Sequence, residues 1–489
     1  MSKVKDFLLE TMIYGFGNVF SRVFAMFLLP FYTQYLGKID YSNIVMLQST
    51  FTIITFLIAL SGGVFFYYYE FKNVKYKKIV FTSWFYYEII ITIFICLALC
   101  FTSPFLSSLF IITKSNEQQI FWGVILLGIQ LFPYIINITN INYFRINRKP
   151  KKVILIVLLE SLFTLVLVIV SLKYCNYGII GVLVSQISGR LIVSILFIKY
   201  ASFYIYLKFF SIRMLKKLFL FSWPFILSSI FTWSIISIDK FIGAQKLTAS
   251  SDIAFLALSM QLVIPIAVLA DMIRMALGPY IMSIRQDSDA EKSYQQLFEV
   301  TIFGASVAVV GIILTAPILT LLLADSSYMQ VIYIVPLMAF GQLISLAANQ
   351  FSICFSLVKK TVYILFSVMI AGTTGFVMNY LLMGTFGYEI SGYSQVVSFS
   401  LMALFLFYFG KKVANLKIQL KNSLLIIGIV LVYIISLTYI NTFTMNGNYV
   451  YLILFSVFTL LTITMTYLKQ QNHKLSTIFK NVKNGIQKK

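Results

Sequence analysis

The chain has 489 residues, 60% of them hydrophobic and only 11% charged, with a mean hydropathy of +0.91. Soluble domains cannot hide that apolar surplus, so an all-α polytopic membrane protein is expected, with the surplus facing lipid. The net charge of +22 then reports orientation beside spanning helices and not a polyanionic ligand, which excludes nucleic acid as a partner.

A spanning helix uses about 20 apolar residues. Fourteen stretches of that size follow one another, at 11–36, 43–69, 79–103, 118–143, 152–173, 178–200, 217–242, 252–277, 295–323, 329–355, 361–383, 389–410, 422–441 and 448–468. The first runs on from Met12 to Leu36 without a small-residue cleavage site, and reads as a span and not as a signal peptide. Loops alternate in charge. Thirty Lys and Arg fall on one side, and Lys38, Lys114, Lys173 and Lys246 alone on the other. By the positive-inside rule both termini are cytoplasmic.

The connections leave no room for a soluble catalytic domain. Gly15-Phe16-Gly17 lacks the third glycine of a dinucleotide fingerprint, and there is no phosphate-binding loop. His473 is alone in the basic tail, and Cys96, Cys100, Cys175 and Cys354 lie in or beside apolar helices. Neither a catalytic residue, a metal nor a disulfide framework is expected. The pattern is that of a secondary transporter and not of an enzyme.

A shift of about 208 residues brings related stretches into register. Lys151-Lys152-Val153 followed by Tyr177-Gly178-Ile179-Ile180-Gly181 resembles Lys359-Lys360-Thr361 followed by Gly387-Tyr388-Glu389-Ile390-Ser391-Gly392. Six spans per repeat is an even number, so the two six-helix bundles enter the membrane in the same direction and are related by a pseudo-twofold axis along its normal. The organisation expected is an N-terminal lobe at 1–210, a C-terminal lobe at 211–412, an extra helix pair at 413–470 and a basic cytoplasmic tail at 471–489. Prolines at 30, 133, 224, 265, 317 and 336 fall within the spans. They permit bends, or simply reflect how common proline is in spanning helices.

Charges inside spans cost at least about 2.5–3.5 kcal/mol on insertion scales, and so face a partner or a wet cavity. Arg22 lies about 16 Å into the first span. Arg274 is in span 8 with Asp271 three residues earlier on the same face, a spacing that also permits self-neutralisation. Asp239 and Lys240 are adjacent, so their side chains are expected to diverge by about 100°. Glu88, Glu160 and Arg190 in spans 3, 5 and 6 form either a structural triad or an ion-coupling site. Tyr67-Tyr68-Tyr69 closes span 2, and its rings are candidates for stacking on sugars or for the interfacial belt. The basic loops and tail are read as topology determinants and anchors to anionic membrane lipids.

Tyr14-Gly15-Phe16-Gly17-Asn18, leading to Leu28-Leu29-Pro30-Phe31-Tyr32-Thr33-Gln34-Tyr35-Leu36-Gly37 and Tyr41-Ser42, resembles the start of a polysaccharide-biosynthesis flippase. The type is that of O-antigen or lipid III flippases in the multidrug/oligosaccharidyl-lipid/polysaccharide exporter superfamily. Ile238-Asp239-Lys240-Phe241-Ile242-Gly243 is similar to that family's acidic-basic-Phe stretch, and the turn at Tyr177 to Gly181 also matches. The resemblance implies two six-helix bundles around an alternately opened cavity. It implies as cargo an undecaprenyl-diphosphate-linked oligosaccharide, for O-antigen, lipopolysaccharide or a similar glycan, moved to the periplasmic leaflet. On it, Arg22 and Arg274, then Arg190 and Lys240, bind the lipid diphosphate. Glu88, Glu160, Asp239 and Asp271 serve ion coupling or charge pairing, and Tyr67, Tyr68 and Tyr69 stack on sugars. The implied energy source is H+ or Na+ antiport, with no cofactor. The expected state is a monomer working beside glycan polymerase machinery. Relatives often place a basic residue where this chain has its tyrosine run.

Two other readings compete. A multidrug or small-cation exporter of the same superfamily usually stops at twelve spans and needs an acidic cavity. A membrane-embedded glycan polymerase needs a long outward loop for its active site, and the outward loops here are short.

Overall fold

A computed structural model describes residues 24–58, 64, 67–68, 73–110, 117–147, 149–202, 206–247, 251–284, 290–358, 360–414, 418–439 and 449–486. At 271–284 and 471–486, and at a few shorter stretches, the backbone alone is described. A bilayer interior offers no water to backbone N–H and C=O groups, so each span closes its hydrogen bonds within a helix. Among the described residues there are α-helices and short 3-10 turns and no strand. The first half holds α1 (24–35), α2 (Gly37–Ile58), α3 (Val74–Phe110), α4 (Glu117–Ile146), α5 (Pro150–Lys173) and α6 (Gly178–Ser202). The second holds α7 (Ile212–Lys246), α8 (Ser251–Ile284), α9 (Ala290–Leu323), α10 (Val335–Leu357), α11 (Val362–Phe386) and α12 (Ile390–Ala414). Then come α13 (Lys421–Tyr439) and α14 (Tyr449–Ile486). Twelve of these are long and apolar enough to cross a membrane, and Lys421–Leu437 is a shorter apolar helix.

Each predicted span overlaps one helix, but three boundaries differ for local reasons. Span 2 was expected from 43, whereas α2 starts at Gly37, directly after α1. Gly37 takes φ +70°, the left-handed region open to glycine, and reverses the chain in a single step. Span 10 was expected from 329, but Ser326–Tyr333 is a 3-10 helix capped by the Asp325 carboxylate, which accepts from the Ser327 N–H at 2.7 Å. α10 begins at Val335, so Pro336 lies in its first turn, where it has no intrahelical N–H bond to lose. Pro336 therefore starts a helix and does not bend one. Finally, α14 continues through the basic tail to Ile486.

The repeat is visible as repeated packing. In the first half α4 packs on α6, α5 on α6 and α3 on α4; in the second α10 packs on α12, α11 on α12 and α9 on α10. The turns entering α6 and α12 each carry a left-handed glycine, Gly178 at φ +55° and Gly387 at +71°. Small residues allow the closest approaches, as expected where apolar lipid gives helices little reason to associate. A Cβ on Gly189 of α6 would lie 2.5 Å from Thr164 Oγ1 of α5. In the second half the glycine is on the partner helix instead, and a Cβ on Gly375 of α11 would lie 2.9 Å from Ser398 Oγ of α12. The extra pair packs on the second half through α9, where Phe303 and Tyr467 stack with ring centroids 4.3 Å apart.

The halves meet through α2, α3, α7 and α8. On the cation-poor face, Lys38 at the start of α2 reaches across to the second half. Its Nζ donates to the Ser327 carbonyl at 2.9 Å and sits 5.0 Å and 5.1 Å from the Phe255 and Tyr328 ring centroids. Beside it Thr33 Oγ1 donates to the Leu323 carbonyl at 3.1 Å. Deeper in, Trp233 Nε1 donates to the Ser49 carbonyl at 2.9 Å. On the cation-rich face α3 and α7 touch through buried Val80, Phe81, Trp84, Met214 and Leu218, and the Ser211 N–H donates to Ser83 Oγ at 2.9 Å.

Candidate functional site

A cavity of about 300 Å³ opens midway along the helices of the first half. Its wall is built by Phe24 to Tyr32 of α1, Tyr41 to Thr52 of α2, Gln130 of α4, Glu160 to Thr164 of α5 and Gln186 and Arg190 of α6, and Gln261 of α8 closes it from the second half. Apolar residues face lipid on the far sides of these helices, so the polar ones turn inward by default.

Arg190 and Glu160 are the charged residues in this wall among the described residues. Arg190 Nε donates to Glu160 Oε1 at 2.9 Å, and their side chains are 20% and 23% exposed, so the pair faces the cavity and is not sealed in protein. Asn137 of α4 orients it, donating from one amide nitrogen to Glu160 Oε2 and to the Arg190 carbonyl, both at 3.1 Å. The guanidinium carbon lies 4.6 Å from the Phe51 centroid and 5.7 Å from that of Tyr134. Nη1 has no partner among the described residues. The guanidinium is thus held by an acid and two rings, and about a fifth of the side chain stays open to the cavity.

The rest of the polar wall is uncharged. Gln130 Nε2 donates to Gln186 Oε1 at 3.1 Å, and the Tyr32 phenol bonds with Gln186 and Gln48. These amides were not among the predicted site residues. The repeat carries a signal for them: Gln186 lies 209 positions before Gln395, and Gln130 lies 212 before Gln342, all four on the helices that pack as α4–α6 and α10–α12.

Glu88, Glu160 and Arg190 do not form a triad. Glu160 and Arg190 pair, while Glu88 is buried on α3 beside Trp84, and its Oε2 has no partner among the described residues. Tyr134 is within electrostatic reach of all three. Asp239 and Lys240 were expected to diverge, and this is corrected. The long lysine stem folds back along α7, bringing Nζ to 3.2 Å from Asp239 Oδ1 and 2.9 Å from the Ile236 carbonyl. Ser391 of α12 donates to the other carboxylate oxygen, and both residues are buried, 1% and 5% exposed. Neither lines the cavity, so the phosphate contact expected of Lys240 has no opening there.

Tyr67 packs edge-on against Phe221 of α7 at 6.0 Å, and Tyr68 is buried with Lys77 Nζ 4.9 Å from its ring centroid. Both rings serve the contact at the cation-rich face instead of the cavity. Arg22 and Tyr69 lie outside the described residues, as do the side chains of Asp271 and Arg274, whose backbone is helical within α8. The four cysteines are free, and no group able to hold a metal occurs among the described residues.

Comparison with known proteins meets this geometry at two levels. Residues 71–333, more than half of the chain, match the family model described as polysaccharide biosynthesis protein. The chain belongs to that family. No curated protein matches it by sequence. Among solved structures it is similar to the lipid II flippase MurJ in an inward closed conformation, with a TM-score of 0.74 at 15% identity, covering 94% of this chain and 99% of that one. An inward-facing multidrug-resistance MATE transporter of the MOP superfamily follows at TM-score 0.67 and 16% identity, covering 81% and 94%. A MOP-superfamily transporter from Pyrococcus furiosus gives 0.61 at 18% identity, covering 84% and 96%. The chain is therefore a multi-pass membrane protein with the MurJ/MATE fold, and its solved neighbours are flippases and transporters.

Proposed function

We propose that this protein is a flippase that carries an undecaprenyl-diphosphate-linked oligosaccharide from the cytoplasmic to the periplasmic leaflet of a bacterial inner membrane by ion-coupled alternating access. The supporting observation is the character of the mid-membrane cavity of the first half, where a partly exposed, acid-paired arginine stands among amides and phenols and Gln261 of the second half closes the wall. A lipophilic cation needs an acidic surplus, and the single carboxylate in the described wall is already matched by Arg190. A hydroxyl-rich headgroup is served by what is there. Arg22 and Arg274 are assigned to the diphosphate, as the sequence resemblance implies. Glu88, an acid without a cationic partner among the described residues, is the assigned site of H+ or Na+ exchange. The extra helix pair fits a flippase better than a twelve-span exporter, and the short outward connections fit it better than a polymerase.

Complementation tests this reading. The chain is expressed in a bacterium lacking its own glycan flippase, and the appearance of diphosphate-linked glycan in the periplasm and on the surface is measured. Restored surface glycan is the expected result. Failure with confirmed membrane insertion, together with efflux of cationic dyes, would establish the exporter reading in its place.

A further inference from the structure

The chain passes from one half to the other on the cation-rich face, between α6 and α7, and the described part of that join lies along the start of α3. The 3-10 turn Leu207–Phe209 packs on α3, Phe210 meets Tyr86 edge-on with ring centroids 6.1 Å apart, and the Ser211 N–H donates to Ser83 Oγ at 2.9 Å. α3 and α7 have 37 and 35 residues, against about 20 for crossing a hydrocarbon core, so the helices run on into the headgroup layer.

Two ammonium groups flank one pair of rings at this join. Lys78 Nζ lies 5.9 Å and 5.7 Å from the Tyr206 and Phe209 centroids, and Lys208 Nζ lies 5.9 Å and 5.3 Å from the same two. Ring faces hold a cation in place without cancelling its charge. Neither lysine has an ion pair among the described residues. The sequence supplies no local balance either: taking every residue of the stretches 70–87 and 199–217, nine Lys and Arg stand against Glu70 alone. The cluster therefore calls for an anion, and its apolar neighbours decide which kind. Leu207 and Ile212 are 70% and 67% exposed, and Val74, Tyr76 and Tyr206 are exposed as well. A soluble phosphate has no surface to cover these side chains. A headgroup layer does, because aliphatic side chains enter the acyl boundary, tyrosine rings sit at the interface and lysine stems reach up to the phosphates.

We infer that the join between the halves, with the first turns of α3 and α7, is a binding surface for anionic phospholipid, in which Lys78 and Lys208 take the phosphate while Leu207 and Ile212 enter the acyl boundary. The inference does not rest on the flippase reading. It also goes past a general anchoring by basic loops, since it selects the place where ring-held lysines and exposed aliphatic side chains coincide.

The test titrates the full chain in detergent with phosphatidylglycerol, phosphatidylethanolamine and polyprenyl diphosphate, and reads bound lipid by native mass spectrometry. Phosphatidylglycerol is expected to bind the wild-type chain at least about fivefold tighter than phosphatidylethanolamine, whose headgroup has no net charge. In Lys78→Gln with Lys208→Gln that preference falls to within about twofold, while the melting temperature is unchanged. Lys411→Gln with Lys412→Gln removes the same charge at the end of α12 and keeps the preference. Leu207→Ser, which touches no charge, weakens both phospholipids by about the same factor. Equal binding of the two phospholipids to the wild-type chain overturns the inference, and this arm needs no variant to fold. An equal loss in the Lys411 and Lys412 pair overturns it too, by reducing the effect to total charge. If polyprenyl diphosphate binds through Lys78 and Lys208 and phosphatidylglycerol does not displace it, the phospholipid assignment falls and these lysines belong to the path of a lipid diphosphate.

Discussion

In the first half Glu160 and Arg190 come from different helices and meet at 2.9 Å with about a fifth of each side chain exposed, whereas in the second Asp239 and Lys240 are neighbours on one helix, meet at 3.2 Å and are sealed under Ser391. Both are acid–base pairs inside the membrane, and sequence alone gives each the same cost. What separates them is who supplies the remaining hydrogen bonds. The sealed pair is completed by the protein, through Ser391 and the Ile236 carbonyl. The open pair keeps about a fifth of each side chain exposed, and Arg190 Nη1 has no partner among the described residues. A charge within the bilayer is thus a mark of function only when its own neighbours fail to complete it.

Breaking the sealed pair should have the largest effect. Asp239→Ala leaves Lys240 buried and uncompensated, and should cost about 3–5 kcal/mol, read as a loss of folded protein in detergent melts. Replacing both residues, as Asp239→Leu with Lys240→Met, should recover most of that loss, since an apolar pair of similar volume needs no counter-charge. A double variant as unstable as the single one would show that Ser391 and its surroundings demand the carboxylate itself. At the cation-poor face, Lys38→Met removes a hydrogen bond and two ring contacts that join the halves. It should favour parting of the halves by up to about 2 kcal/mol, seen as faster labelling of a Ser327→Cys reporter by an impermeant maleimide in a cysteine-free background. Trp233→Phe deletes one buried bond across the same interface and should lower stability by about 0.5–1.5 kcal/mol in the same melts. The open pair should matter least to folding. Arg190→Ala is expected to cost about 1 kcal/mol or less, because both partners remain partly solvated.

Much of this was legible in the chain itself, and the physics says which part. Hydropathy locates every helix because a bilayer admits no other way to satisfy the backbone. The 208-residue shift foretells the paired lobes because each turn must reuse the same device, as Gly178 and Gly387 do. Helix periodicity was least reliable for the side chains. It placed Asp239 and Lys240 about 100° apart, which describes their Cβ atoms, but a lysine stem is long enough to fold back through that angle. It grouped Glu88 with Arg190 by depth, and depth does not say which face of α3 an acid occupies. Gln130, Gln186 and Gln261 escaped notice because an uncharged amide in a span carries little penalty and so little signal. Only its recurrence at the repeat distance marks the first two.

If the open pair meets the cargo, Arg190→Ala should slow translocation without unfolding the protein. Wild-type and variant protein, matched for amount and melting temperature, are compared in proteoliposomes for the movement of a polyprenyl-diphosphate glycan between leaflets. The variant should stay folded while the translocation rate falls at least about tenfold, equivalent to about 1.4 kcal/mol of lost interaction. Translocation at the wild-type rate by the folded variant would contradict it.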